Sequence, residues 1–253
     1  MIFNFKSMKI LVCISKTPDT TAKIAFKNDG RDFQADGIQF IMNPYDEWYA
    51  LVRGLELTET SGGTVTVINV GLADNDTIIR KGLAIGASDA VRINKDPEGA
   101  WDVAHQLAAY IKTQQYDLIL LGKETIDYND SEVGATLAEL LDLPFISYAN
   151  KLDITGTSAT INREIEGGTE TMEAQLPLVI SCAKGMAEQR IPNMKGIMTA
   201  KSKPLVVVEP STVVNHVTLV THELPPAKQS VHMIAPEDTD ELIRLLHEEA
   251  KVI

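Results

Sequence analysis

Cysteine is scarce in this 253-residue chain, which carries only Cys13 and Cys182. They form no CxxC pair, and no His/Cys cluster accompanies them. A disulfide framework is therefore excluded, and no metal site is expected. Both fall in apolar runs and are read as reduced core residues of a cytoplasmic protein. Positive charge is short as well, with 23 basic residues against 35 acidic ones and a net charge of −12. Nucleic acid is excluded as a partner, because phosphate neutralisation needs clustered Lys and Arg. The one basic cluster, Lys195 to Lys203, holds three lysines. No apolar run approaches the roughly 20 residues needed to cross a bilayer, so membrane insertion is not expected. The opening residues, MIFNFKSMKILVCIS, are interrupted by Asn4, Lys6 and Lys9 and lack a small-residue cleavage site, unlike a signal peptide. Met8 serves equally well as a start, which makes the first seven residues a ragged tail. The GxGxxG, P-loop and GxSxG motifs are absent. The five histidines are dispersed along the chain. No catalytic residues are assigned, and a binding or carrier protein is favoured over an enzyme.

What is present is a regular alternation of apolar strands and amphipathic helices. Lys9 to Ile14 reads as a central strand, and Phe26 to Phe40 as loop with a short hairpin about Asp29-Gly30. Asn43 is an N-cap candidate with Pro44 at the first helical position and Asp46 and Glu47 in the first turn. Thr64 to Val70, Ala90 to Ile93 and Asp117 to Leu121 are further strands, separated by helices over 74–83 and 101–114. The spacing predicts an open, mostly parallel α/β sheet with helices on both faces, of the Rossmann-like kind. After Pro144 three alternating segments separated by Thr155-Gly156 and Gly167-Gly168 predict an antiparallel β-hairpin excursion. Pro177 to Cys182 and Leu205 to Val208 are the last strands. The α/β domain is expected over 1–209. Residues 210–253 are expected to form an extended C-terminal tail, interrupted by prolines, that packs on a partner or folds back on its own domain.

The organising stretch is Tyr116 to Leu143. A buried strand runs into a loop bearing Lys123, Thr125, Asp127, Asn129, Asp130 and Ser131, and then into a helix buried through Val133, Leu137, Leu140 and Leu141. Such a junction holds a phosphate on free helix amides, or is an ordinary capped βα connection. Four loops are expected at the carboxyl ends of strands: Cys13 to Asp19, Ile41 to Glu47, Val70 to Asp74 and Gly122 to Gly134. In an open α/β sheet that edge forms the ligand crevice. A mononucleotide fits it, with adenine between the first and third strands and phosphate at the Ser131 helix.

Three ordered segments make the chain recognisable. Asn43 to Leu57 is NPYDEWYALVRGLEL, Gly122 to Pro144 is GKETIDYNDSEVGATLAELLDLP, and Ile161 to Ser181 is INREIEGGTETMEAQLPLVIS. In the last, Arg163, Glu166, Gly167, Glu170, Pro177, Val179, Ile180 and Ser181 fall in register with the signature of the electron transfer flavoprotein beta-subunit family. Met172 stands where that family usually has an aliphatic residue. The chain resembles this family along 8–253. The resemblance implies the smaller subunit of a heterodimeric electron carrier. An alpha subunit would hold most of a redox FAD, and this subunit a structural AMP. It implies nucleotide contacts from Cys13, Asn43, Pro44, Tyr45, Asp46, Val70, Gly71, Lys123, Glu124, Thr125, Ile126, Asp127, Asp130, Ser131, Val133 and Gly134. A second FAD in place of AMP, in an electron-bifurcating variant that oxidises NADH, is the closest alternative. A stand-alone nucleotide-binding stress-type module is a remote one. Arg190 to Pro204 resembles the loop that docks flavin dehydrogenases such as acyl-CoA dehydrogenases, with Met194 in the place of a leucine anchor and Lys195, Lys201 and Lys203 steering acidic partners. Pro18 to Thr21 would approach the flavin edge, and the tail would wrap the alpha subunit.

Overall fold

A computed structural model describes residues 7–227 and 231–253. The opening segment read as a tail lies outside the described residues, apart from Ser7.

Strand β1 (Met8–Cys13) is buried except at Lys9, as a continuous apolar run requires when both faces are covered. The chain then makes two small antiparallel pairs. β2 (Lys16–Pro18) is followed by the hairpin of β3 (Phe26–Lys27) and β4 (Asp32–Phe33), and β5 (Phe40–Met42) returns to pair with β2. Next come α1 (Asp46–Ser61), β6 (Gly63–Val70), a 3-10 turn at Ala73–Asn75, α2 (Asp76–Ile85), β7 (Asp89–Ile93), α3 (Ala100–Ile111), β8 (Leu118–Gly122) and α4 (Glu132–Leu141). The antiparallel excursion is β9 (Phe145–Thr155), β10 (Ser158–Ile165) and β11 (Gly168–Gln175). β12 (Leu178–Cys182), α5 (Met194–Ala200) and β13 (Leu205–Val208) follow, and α6 (Thr239–Arg244) runs into a wider turn at Leu245–Glu249.

One nine-stranded sheet holds the order β11-β10-β9-β12-β8-β1-β6-β7-β13. The neighbours from β9 to β13 pair in parallel, and β9, β10 and β11 pair antiparallel. This is the open, mostly parallel α/β sheet that the alternation of elements predicts. Alternate residues of each strand feed two cores. Ile10, Val12, Leu118, Leu120 and Ile180 pack with α1 and α2, while Leu11, Cys13, Ile119, Leu121 and Val179 pack with α3 and α4. The excursion is held by a cross-strand ion pair within the signature segment. Arg163 Nε lies 2.6 Å from Glu170 and its second nitrogen 3.2 Å from Ser147 Oγ.

The chain divides into two compact units. The first holds the residues up to Ile24 together with Ala35–Leu219. It runs on to 219 because 211–215 is laced to α3 and the turn before it. Ser211 and Gln106 exchange two hydrogen bonds of 2.8 Å, Trp101 Nε1 donates to the Val214 carbonyl, and Asn215 donates to that of Glu98. The second unit joins Ala25–Gln34 to Val220–Ile253. There the His222 amide donates to the Gly30 carbonyl at 2.7 Å, and the Phe26 ring stacks on His222 with centroids 4.7 Å apart. Gly30 has φ +79°, and a Cβ would lie 2.4 Å from the His222 carbonyl oxygen.

Leu120, in the middle of the sheet, has no exposed surface. Leu120→Ala should lower the unfolding free energy by about 3 kcal/mol, read from urea denaturation. A loss within experimental error would mean that this core does not carry the fold.

Candidate functional site

At the carboxyl ends of β1, β6 and β8, on the side of α3 and α4, lies a cavity of about 190 Å³. Its apolar lining comes from Cys13, Ile68, Val70 and Leu121 at strand ends, Val103 and Leu107 of α3, and Val133 of α4. Its polar lining comes mainly from one loop, 123–131, through Lys123, Glu124, Thr125, Asp127, Asp130 and Ser131. The cavity therefore offers an apolar slot beside a hydrogen-bonding rim.

The rim ends at the start of α4. Ser131 precedes the helix with φ +57°, and its side chain makes no capping hydrogen bond. Its hydroxyl instead lies 3.4 Å from Glu124 Oε2 and 3.3 Å from the Tyr148 hydroxyl. The first amides of α4 have no partner within the helix, and Ser131, Val133 and Gly134 line the cavity. This arrangement can receive an anion.

Beneath the rim, the lead-in to α1 ties two loops together. Asn43 is fully buried; its amide donates to the Ser15 carbonyl at 3.0 Å. Its side chain donates to the Glu124 carbonyl at 3.0 Å and accepts from the Ile126 amide at 3.1 Å. Asn43 is thus a brace and not the N-cap that the Asn-Pro pair suggests. Helix α1 begins at Asp46, after Tyr45 with φ +65°. Glu47, buried and lining the cavity, accepts from the Ser15 amide at 2.7 Å and the Ser15 hydroxyl at 2.6 Å. Gly122 makes this approach possible, since a Cβ there would sit 2.9 Å from the Glu47 side chain.

Burial pushes the Glu47 carboxyl up to about 8 against the hydrogen bonds from Ser15. Burial also raises Asp46, to about 6, with the nearby Lys123 ammonium opposing. Burial, with Glu47 beside it, raises the Cys13 thiol, so this cysteine is a wall and not a nucleophile. Lys123 is engaged by Glu124, lies 4.0 Å from Asp46, and sits over the Tyr148 ring.

Cys13, Val70, Lys123, Glu124, Thr125, Asp127, Asp130, Ser131, Val133 and Gly134 all line this one cavity. Asn43, Pro44, Tyr45, Asp46, Gly71 and Ile126 do not. Ile126 and Asn43 belong to the brace, and Tyr45 is exposed. Gly71 faces away: a Cβ there would lie 1.8 Å from Asn75 Nδ2, and its carbonyl accepts from the buried Arg92. Its missing side chain makes room for Asn75. The Ile41–Glu47 loop follows β5, which pairs only with β2 and lies outside the large sheet. Ser15, Lys16, Glu47 and Tyr128 also line it and fall within the crevice loops read from the sequence, whereas Ile68, Pro97, Gly99, Ala100, Val103, Leu107 and Leu121 were missed as lining residues. The α3 residues were legible as an inward face, but not as a face with a gap behind it.

The second candidate surface is the segment around α5. Asn193 caps the helix by accepting from the Gly196 amide at 2.8 Å. The loop is pinned from behind. Trp48 Nε1 donates to the Arg190 carbonyl, Arg190 pairs with Glu59, and Arg80 donates to the Ala200 and Lys203 carbonyls. Ile191, Met194 and Met198 are left exposed, Met194 by 74%. Lys195 and Lys201 are exposed beside them. Lys203 is not a free steering charge. Its ammonium donates to the Leu83 and Ala87 carbonyls at 2.9 and 2.6 Å, closing the end of α2, and burial pulls its pKa down.

A doubly wound sheet with an amphipathic cavity at its carboxyl edge and an open helix start defines a nucleotide-binding class of α/β protein. A family model described as "Electron transfer flavoprotein domain" matches residues 32–213. The chain is 36% identical to the electron transfer flavoprotein subunit beta of Bacillus subtilis, over 97% of this chain and all of that one. It is 29% identical to the human subunit beta, over 97% of this chain and 99% of that one. It is also 32% identical to the caffeyl-CoA reductase-Etf complex subunit CarD of Acetobacterium woodii, over 79% of this chain and 78% of that one. The chain belongs to the electron transfer flavoprotein family and aligns with its beta subunits.

Glu47 holds its proton to a higher pH in the folded state than in the unfolded chain, where the ordinary value is 4.5. The folded state therefore binds more protons in this window, and stability falls as pH rises from about 4.5 through about 8. Glu47→Gln should abolish that part of the slope. The melting temperature of the variant relative to wild type should rise by on the order of 5 °C between pH 5 and pH 8. A difference that is constant with pH would mean that Glu47 is ionised throughout.

Proposed function

We propose that this chain is the beta subunit of a heterodimeric electron transfer flavoprotein, a carrier and not an enzyme. It works in the cytoplasm beside an alpha subunit that holds most of the redox FAD, and it keeps AMP as a permanent structural ligand. The observation that carries the nucleotide assignment is the cavity itself, apolar toward the sheet and bordered by the uncapped start of α4. The base fits the slot of Cys13, Ile68, Val70 and Leu107, and the phosphate fits the amides after Ser131 with Ser131 and Thr125 beside them. Asn43 and Asp46 support the loop from below. The flavin, when bound, supplies the electron chemistry. The residues of this chain bind, orient and exclude water.

A partner is supported by the apolar residues the tail leaves in solvent. Val214, Val217, Val220, Val231 and Met233 are each more than half exposed. We assign them to the alpha subunit, and the exposed Ile191, Met194 and Met198 to dehydrogenases of the acyl-CoA class that deliver electrons. Electrons then pass to a quinone reductase or another acceptor. No helix among the described residues is long and apolar enough to cross a membrane. The likeness to CarD favours one specific alternative, in which a second FAD replaces AMP and the complex oxidises NADH.

Releasing and counting the cofactors of the purified heterodimer tests the assignment. One FAD and one AMP are expected per complex. Two FAD would replace AMP by the second flavin, and a complex without a second nucleotide would empty the cavity of its role. Met194→Ala should slow reduction of the complex by its dehydrogenase about tenfold at limiting concentration, with flavin content unchanged. Loss of flavin instead would make the loop structural.

A further inference from the structure

The sulfur atoms of the chain divide between walled and open ones. Cys13 and Cys182 are buried, and burial raises both thiols, so neither presents a thiolate to solvent. Met8, Met42 and Met186 are buried too. Met194 and Met198 are the opposite case, 74% and 70% exposed. Met233, in the tail, is exposed as well and is assigned above to the alpha subunit. The exposure of the first two is built in by the helix that carries them. In α5 a Cβ on Gly196 would lie 2.3 Å from the Ala84 carbonyl oxygen, and Ala200 is buried. Those two positions, four residues apart, press the helix against the end of α2. Met194 and Met198 each stand two residues earlier, about 200° around the helix, and so face outward as a pair. The Asn193 cap and the bonds from Arg80 to the Ala200 and Lys203 carbonyls hold that orientation. The thioethers cannot turn under without unseating the helix.

We propose that Met194 and Met198 are a modification site for hydroperoxides, and that their oxidation to sulfoxides closes the docking face. The thioether sulfur attacks one oxygen of hydrogen peroxide, and the O–O bond breaks as the S–O bond forms. The proton on the transferred oxygen passes to the departing hydroxide, which leaves as water. Sulfur is oxidised by two electrons and the peroxide is reduced by two. A dithiol reverses the step: the oxygen leaves as water and the dithiol becomes a disulfide. Both cysteines of this chain are walled off, so the dithiol belongs to a separate sulfoxide reductase. Each sulfoxide places a strong acceptor in a patch that Ile191 and Ile197 keep apolar, and a partner covering it must leave that acceptor unpaired. The effect on docking rests on the dehydrogenase reading given above; the selectivity of the oxidation does not.

The test treats the purified heterodimer with hydrogen peroxide and maps its peptides by mass spectrometry. Met194 and Met198 should each gain one oxygen about tenfold faster than Met8, Met42 or Met186. Once both are oxidised, reduction of the complex by an acyl-CoA dehydrogenase at limiting concentration should slow about tenfold, with flavin content unchanged. Methionine sulfoxide reductases for both sulfoxide epimers, supplied with a dithiol, should restore the rate. Met194→Leu with Met198→Leu should bring the ratio of treated to untreated rates to about one, whatever the starting rate of that variant. Oxidation of Met194 and Met198 no faster than that of the buried methionines overturns the modification site. A treated complex still reduced at full speed overturns the closing of the face, as does a loss of rate that the reductases leave in place or that persists in the double variant. Should the double variant not assemble, rescue by the reductases decides that point. An untreated rate unchanged by Met194→Ala defeats the docking reading, and the closing of the face with it, while the peptide map alone decides the modification.

Discussion

The site depends on buried side chains of a short segment that scarcely touches the cavity. From Asn43 to Glu47 the chain carries one amide side chain and one carboxyl that between them hold both loops of the crevice. Asn43 fixes the 123–131 loop by backbone contacts at Glu124 and Ile126, while Glu47 fixes Ser15 at the end of β1. These bonds are shielded from water, where a lost partner costs the full desolvation of the group left behind. The raised pKa of Glu47 is the cost of placing a carboxyl there, offset by two donors from one serine. The rigidity of the rim thus comes from the neighbouring helix lead-in, of which only Glu47 lines the cavity.

Much of this architecture was legible in the sequence, because strand burial and helix periodicity are local patterns. The continuous apolar runs of β1, β8 and β12 announced a sheet covered on both faces, and the alternation after Pro144 announced antiparallel hairpins. The loop from Lys123 to Gly134 was readable as the border of a crevice for the same reason, since strand, polar loop and helix are contiguous. What escaped was whatever depends on distant partners. An Asn-Pro pair ahead of a helix suggests a cap, and only the tertiary structure shows that Asn43 is spent on a loop 80 residues away. Lys203 reads as a surface charge until the open carbonyls of α2 are seen beneath it. Gly71 reads as a turn glycine, and only the structure shows that Asn75 fills the space it leaves.

The α5 segment follows a different economy from the crevice. Its backbone is pinned by Trp48, Arg80 and Glu59 through Arg190, and its short helix is capped by its own Asn193, so exposed methionines are carried on a fixed support. Methionine is flexible at its tip and can fill varied pockets, while the support limits the entropy lost on contact. The segment thus divides into a rigid base and an adaptable surface. The crevice, by contrast, combines strained backbone at Tyr45 and Ser131 with buried polar bonds, a combination that holds one shape.

The pairing of the Phe26–Phe33 hairpin with His222 bears on how the molecule is made. The two segments are separated by almost the whole length of the sheet-forming sequence, so closing that contact is a long-loop event and slow compared with the local strand and helix steps. During synthesis the hairpin emerges about 190 residues ahead of its partner, so Phe26 waits uncovered while the whole sheet is made. Completion of the second unit therefore follows, and cannot precede, synthesis of the strands that lie between its two segments.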